Sequence, residues 1–272
     1  MLICRFADLA RVSEESPNQQ IGKSKNPGLP TAQKCSSTGV IMSPVSPRQP
    51  GRFITFEGLD GCGKSTQMQR LAEALRQEGL EVVVTREPGG TPVGERVRSI
   101  VLDSATAGLV PTAELALLFA SRGQQVPEII LPALEAGKWV LCDRFTDSSE
   151  AYQGGGRELG TEAVLTMHRL TCGKIQPDMT VLMDSDVASS VARARRRNLS
   201  RVATAQGGEA DENRFEQENQ AFFTRVHGAY LAIAQREPHR VLMLDARRQP
   251  DIVHREIVDA VRQRFLGAAK TA

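Results

Sequence analysis

The chain has 272 residues, 40% of them hydrophobic and 24% charged, which fits an ordinary soluble globular protein of one large or two small domains and excludes a low-complexity or fibrous chain. Its net charge is +2, so no strong overall field favours nucleic acid, and no apolar run approaches the ~18 residues that a membrane span needs. The first 50 residues carry +3 (six Lys or Arg against three acids), so the remainder carries −1 and any cationic site there must be local.

Residues 1–51 come first. "MLICRFADLA" is too short and too interrupted by charge for a signal sequence. The following stretch is rich in Ser, Pro, Gly, Asn and Gln, shows no period of 2 or 3.6, and is expected to be disordered. Met42 stands shortly before the first strand pattern, so a natural start at Met42 is the expectation, with residues 1–41 an artefact of start-site choice. A basic targeting arm fits less well because Asp8, Glu14 and Glu15 lie within it. The five cysteines, Cys4, Cys35, Cys62, Cys142 and Cys172, are odd in number and form no CxxC pair. Free thiols in a reducing, cytoplasmic compartment are expected.

From Arg52 short apolar runs alternate with helical patterns. "RFITFE" reads as a strand and Lys64 to about Gln77 as a helix. "EVVVTRE" is the second strand, with helices over about 94–102 and 112–136. "KWVLCDR", "MTVLMD" and "RVLMLD" are three more strands, and helices fill about 161–172, 187–197, 214–236 and 250–265. Strands that are apolar throughout are buried on both faces, so the expectation is one α/β domain, a parallel five-stranded sheet flanked by helices.

The first strand runs into Gly58-Leu59-Asp60-Gly61-Cys62-Gly63-Lys64-Ser65, a G-x-x-x-x-G-K-[ST] pattern between strand and helix. Glycines let main-chain N–H groups turn inward around a phosphate, and the helix that follows adds its positive end. The segment, with Thr66, is read as the ATP phosphate site. Lys64 would reach the β- and γ-phosphates and the Ser65 hydroxyl would bind Mg²⁺. Cys62 reads as a small residue in a tight turn. Asp143, ending an apolar strand, would lie at the ligand edge of the sheet and help hold the metal; as a bare signal, a turn or cap residue fits it equally. No N-K-x-D guanine-reading segment occurs, and the chain is short for an ATP-driven motor. Arg86, Arg98, Arg122 and Arg144 sit at strand ends and on helices, as phosphate-clamping arginines of a small-molecule kinase would. Taken alone, Arg98 and Arg122 also read as solvated surface charges and Phe119 as a core residue.

Six segments in order resemble the thymidylate kinase family: "FITFEGLDGCGKST", "TREPGGTPVGERVRSIVLD", "ELALLFASR", "LPALEAGKWVLCDRFTDSSEAYQGGGR", "PDMTVLMD" and "ENRFEQE". The resemblance covers about Arg52 to Phe265. It implies a P-loop nucleoside-monophosphate kinase fold with a mobile lid, a kinase domain over 52–268, and phosphorylation of dTMP to dTDP by Mg-ATP in dTTP synthesis. It implies a homodimer packed through helices, with no role for nucleic acid or membrane. Residue by residue, Arg86 and Arg144 would hold the acceptor's phosphate, with Arg98 over the same pocket. Phe119 would stack on thymine, and Arg122, Ser149 and Gln153 would read its edge. Tyr152 would stand where a ribose 2′-hydroxyl would be, and Asp60 would approach the 3′-hydroxyl and the metal. The interval from Phe119 to Arg122 is one residue shorter than usual for the family, so either the helix shifts or Leu118 takes the stacking position. Gly61 stands where some members place an arginine. The catalytic cation is therefore expected from a lid over about 193–213, where Arg193, Arg195, Arg196 and Arg197 end a helix, with Arg197 first and Arg193 and Arg195 its neighbours. Another deoxynucleoside-monophosphate kinase is the near alternative. A P-loop regulatory or nucleic-acid-binding protein using the Arg193–Arg201 cluster is the remote one.

Overall fold

The computed structural model describes residues 50–204 and 213–267. The expected extension before Pro50, the Met42 start, Cys4 and Cys35, and the central part of the expected lid lie outside the described residues.

Five strands form one parallel sheet: β1 (Phe53–Glu57), β2 (Val82–Arg86), β3 (Trp139–Asp143), β4 (Met179–Asp184) and β5 (Val241–Asp245), in the order β2-β3-β1-β4-β5. β1 pairs with β3 on one side (Phe53 with Val140) and β4 on the other (Ile54 with Met179), which is why all five of its residues are buried. Because β2 and β3 lie to one side of β1 and β4 and β5 to the other, the chain reverses direction of winding beside β1. Ligand crevices of open parallel sheets form there, at the carboxyl ends of the strands. The register brings Phe56, Asp143 and Arg86 level with one another at that edge.

Alternation along β1 sends Ile54 and Phe56 to one face of the sheet, into a core with Leu71 and Leu75 of α1 (Lys64–Gln77) and Ile257 and Val261 of α9 (Pro250–Val261). Each such side chain, fully buried, contributes on the order of 1.5–3 kcal/mol. Phe53, Thr55 and Glu57 face the opposite layer. This is built from α2 (Pro92–Leu102), α3 (Pro111–Gln125) with α4 (Leu131–Glu135), α5 (Thr146–Ser149), α6 (Thr161–Cys172), α7 (Val187–Thr204) and α8 (Gln220–Arg236). Phe53 meets Phe145 edge-on with ring centroids 5.0 Å apart.

Five elements differ from the sequence expectation, two of them only at an end: α8 starts at Gln220 rather than near 214, after a 3₁₀ turn at Phe215–Gln217, and α9 gives way at Val261 to a π-helical turn, Arg262–Leu266. The helix expected over 112–136 passes through a π-helical turn at Val126–Ile130; Pro127 lacks the N–H that an unbroken α-helix would use there, and a wider turn absorbs the gap. α7 runs on to Thr204 rather than stopping near Arg197, since Arg, Leu and Ala sustain a helix and the first glycine after it is Gly207. The segment after β3, rich in Ser, Asp and Gly, carries no helical pattern. It folds as α5 and a π-helical stretch, Glu150–Gly156. Its glycines serve close approach to α8: a Cβ on Gly155 would lie 2.7 Å from the Ala229 Cβ, and one on Gly156 2.5 Å from the Phe222 ring. Packing against α8 thus overrides the weak local propensity.

Candidate functional site

The loop from Gly58 to Gly63 follows the central strand and opens onto the crevice. Gly58 (φ 130°), Gly61 (φ 79°) and Gly63 (φ 101°) adopt backbone conformations that favour glycine. A Cβ on Gly58 would stand 2.5 Å from the Met183 carbonyl and one on Gly61 2.7 Å from the Ser190 carbonyl, whereas one on Gly63 would meet open space. Gly63 also precedes the first turn of α1, whose N–H groups face the crevice. Lys64 is buried and its Nζ donates to the Gly58 and Leu59 carbonyls at 3.1 and 3.0 Å. Its ammonium lies 3.9 Å from Asp60 Oδ1. The Ser65 hydroxyl donates to Asp143 Oδ2 at 2.7 Å, so the two expected metal-side groups touch.

Two cavities meet beside this loop. The larger, about 910 Å³, runs from the glycine loop past Ser65 and Asp143 to Arg86. The smaller, about 130 Å³, is lined by Leu118, Arg122, Ser149, Tyr152 and Gln153 among others. Asp60, Glu87, Arg98, Arg144 and Arg197 line both.

Arg144 is the centre of the shared wall. It adopts a left-handed backbone, φ 73°, a conformation that costs a non-glycine residue on the order of 1–3 kcal/mol and recurs at functional sites. Its Nη2 donates to Asp60 Oδ1 at 2.9 Å and to the Tyr152 hydroxyl at 3.3 Å. Its Nη1 donates to Ser148 Oγ at 2.9 Å and the Tyr230 hydroxyl at 3.2 Å. Burial works against an ionised Asp60, yet Arg144 and Lys64 outweigh it and hold the carboxyl well below the usual range. Tyr152 lies under the Arg144 guanidinium, 5.0 Å from ring centroid to Cζ.

In the wall of the smaller cavity Arg122 is only 2% exposed, so the surface reading of that residue does not apply. Its Nε pairs with Glu87, and its Nη2 donates to the Phe145 carbonyl and Ser149 Oγ, both at 3.1 Å. Arg122 Nη1 and Glu87 Oε1 are buried with no partner among the described residues. Burial pushes the Glu87 carboxyl upward while Arg122 pulls it back. Gln153 donates to Glu114 at 2.7 Å. Arg98 donates to the Pro88 carbonyl at 3.2 Å. Arg86 is half exposed and pairs with Glu95 at 2.9 Å. The turn that carries it is fixed by Gln125, whose amide donates to Thr85, the Arg86 carbonyl and the Gly89 carbonyl.

Phe119 requires a correction. It is 0% exposed, belongs to the core with Phe53 and Val140, and lines neither cavity. The Arg122 guanidinium covers its ring at 4.5 Å. Leu118, one position earlier, faces the smaller cavity instead, because a helix turns about 100° per residue and only one of two neighbours can point into the pocket.

Of the expected lid arginines, Arg197 lines both cavities and Arg193 the larger. Arg193 also donates to the Gly61 carbonyl at 2.9 Å, laying α7 over the glycine loop. Arg195 turns away to the Glu216 and Glu218 carbonyls at 2.9 and 3.2 Å, and Arg196 lines neither cavity. Arg193 and Arg195 thus bond to the protein's own carbonyls, which disperses the basic run that the nucleic-acid reading relied on.

Several side chains in or beside the cavity walls went unread in the sequence. Glu57, Ser148 and Tyr230 contact Arg144 or one another. Glu114 is fully buried and gathers Gln153, Arg157 and Arg214. Asn198, Phe215 and Glu216 line the smaller cavity. Only Glu57 left a usable signal, a charged residue ending a strand otherwise apolar.

The family model described as "Thymidylate kinase" matches residues 56–257. A thymidylate kinase of Trichlorobacter lovleyi is 47% identical over 213 residues, 78% of this chain and 98% of that protein. One of Geobacter sulfurreducens is 48% identical over 195 residues, 72% of this chain and 89% of that protein. The crystal structure of thymidylate kinase from Ehrlichia chaffeensis superposes with a TM-score of 0.60 at 32% identity, covering 78% of this chain and 99% of that one.

Proposed function

We propose a division of labour for this site on one premise: the chain belongs to the thymidylate kinase family and phosphorylates dTMP to dTDP with ATP, feeding dTTP synthesis. The glycine-loop end of the larger cavity takes the triphosphate of ATP, and the smaller one takes the nucleoside of dTMP, whose phosphate reaches the Arg86 end of the larger. The observation that carries this is the shared wall of Asp60, Arg98, Arg144 and Arg197. Two anions brought to opposite sides of a wall containing three cations have their reacting atoms adjacent and their mutual repulsion screened.

On the donor side the glycine loop's N–H groups and Lys64 hold the β- and γ-phosphates. Ser65 and Asp143 fit a Mg²⁺ that travels with the nucleotide. Among the described residues no three His, Cys, Asp or Glu side chains cluster to hold a metal by themselves, and one hydroxyl with one carboxylate suits a hard cation that takes its remaining oxygens from phosphate and water. When bound, that cation neutralises charge on the β- and γ-oxygens. On the acceptor side Arg86 and Arg144 hold the phosphate of dTMP in line, and Arg98 caps it. Arg122, Ser149 and Gln153 read the base against the apolar floor of Leu118. Tyr152 packs beside the sugar, and ionised Asp60 accepts from its 3′-hydroxyl. Arg197 neutralises charge as the phosphoryl group moves. The attacking phosphate oxygen is already a nucleophile, so no general base is assigned.

The helical layer of α2, α3 and α6 supports a homodimer interface: Val93 and Ile100 on α2 and Leu170 on α6 are exposed, Leu170 at 76%. Cys62, Cys142 and Cys172 are free thiols, which supports a cytoplasmic setting. Among the described residues no helix is long and apolar enough to cross a membrane. A coupled assay of ADP formation tests the assignment: dTMP is expected to be the fastest acceptor, with loss of rate when Mg²⁺ is chelated. Faster transfer to dCMP, dGMP or free thymidine overturns the acceptor assignment.

A further inference from the structure

Arg144 is held from two sides. On one it meets Asp60 and Tyr152, which line the cavities. On the other lie Ser148, which also lines the smaller cavity, and Tyr230 and Glu57, which line neither; all three are buried. The Glu57 carboxylate accepts from the Phe145 N–H at 2.7 Å, from the Ser148 hydroxyl and from the Tyr230 hydroxyl at 3.1 Å. Those same hydroxyls accept from Arg144 Nη1 at 2.9 and 3.2 Å and lie 2.9 Å from each other. We propose that Tyr230, on α8, is a positioning residue for phosphate transfer: with Ser148 it forms two parallel one-hydroxyl links between the Glu57 carboxylate and the Arg144 guanidinium, which hold that guanidinium on the wall between the cavities.

The polarity of the links follows from the donors available. A guanidinium only donates and an ionised carboxylate only accepts, so with Glu57 ionised, above about pH 7, each hydroxyl between them gives its proton to Glu57 and offers its lone pair to Arg144. Burial and the nearby Glu57 carboxylate keep the Tyr230 phenol well above its ordinary range, so its proton is present to be given. Glu57 also fixes the main chain next to Arg144 through the Phe145 N–H. Without this second set of contacts the guanidinium would answer to Asp60 and Tyr152 alone, both on the cavity side. A displacement of the order of 1 Å at a phosphate clamp lowers rate by up to about 10²-fold. Tyr230 itself lines neither cavity, so it acts through Arg144 rather than on the nucleotide.

The inference rests on the assignment of Arg144 as an acceptor-phosphate clamp. Steady-state kinetics on the full chain test it, with wild type, Tyr230→Phe, Arg144→Ala and the double variant. Tyr230→Phe is expected to lower kcat/KM for dTMP about tenfold, the loss of one hydrogen bond to a charged group, with KM for ATP unchanged. In the Arg144→Ala background the same change is expected to cost less than about twofold, since its target is gone. A Tyr230→Phe enzyme within twofold of wild type, or an equal loss in both backgrounds, overturns the positioning role while leaving Arg144's own role intact. An Arg144→Ala enzyme of near-normal activity overturns both. If Tyr230→Phe does not fold, Ser148→Ala removes the parallel link and is read by the same cycle, with the same expected loss and the same two overturning results.

Discussion

The two cavities differ in how much of their chemistry is built before any nucleotide arrives. In the smaller one the reading groups are buried and already bonded: Arg122 to Glu87 and Ser149, Gln153 to Glu114. At the glycine-loop end of the larger one the contacts offered are main-chain N–H groups, with Ser65 resting against Asp143. A buried polar network discriminates because a wrong ligand leaves its groups unpaired. A loop of amides grips any polyphosphate and tolerates solvent. On the proposed assignment, selectivity is concentrated on the acceptor side, and phosphate grip and charge compensation on the donor side. Changes on the donor side should alter rate with little loss of stability; changes on the acceptor side should alter stability as well.

The largest effect expected is from Lys64→Met. Turnover should fall at least about 10³-fold, while calorimetry shows dTMP binding little changed. Equal loss of dTMP binding would erase the contrast between the cavities. Next is the pH dependence carried by Glu57. Burial, reinforced by Asp147 and opposed by Arg144, pushes its carboxyl up from 4.5 to about 7. A native pKa above the unfolded one means the folded state holds the proton more tightly. Its contribution is therefore full below about pH 4.5 and is lost as pH rises through 7, by up to about 3 kcal/mol. Urea unfolding of Glu57→Gln between pH 5 and 8 should show a flatter decline than wild type. Arg197→Ala should lower turnover at least about 10²-fold with dTMP affinity little changed; a normal rate would move the transition-state charge elsewhere. The smallest effect is Gly156→Ala. Its new Cβ would press on Phe222, and thermal unfolding should register about 1–3 kcal/mol.

Most of the fold was legible because its signals are local. Five apolar runs, each ending near a turn, were sufficient for a buried parallel sheet, and the glycine loop announced its own phosphate chemistry. The helix after β3 was hidden because three glycines and a cluster of Ser and Asp argue for a turn; what folds them is the side of α8, far along the chain. The π-helical turn at Val126–Ile130 was hidden because a 3.6-residue pattern on either side reads straight through it. Arg86 and Arg144 stood at or just past strand ends, where phosphate ligands are sought, and Arg98 within the helix that follows β2. Phe119 and Leu118 could not be separated by sequence, since a one-residue change in spacing rotates the helix face and only packing shows which neighbour turns inward. Glu57, Ser148 and Tyr230 converge from β1, α5 and α8, a meeting that no linear motif records.

The crowding around Gly61 has a lasting consequence. Its φ of 79° and the 2.7 Å gap between a hypothetical Cβ and the Ser190 carbonyl close that position to every larger amino acid while α7 stays where it is. An arginine placed in the loop at this position would demand a simultaneous retreat of α7, the element that carries Arg197. The loop and that helix therefore have to be redesigned together, and a single replacement of Gly61 is expected to disturb both.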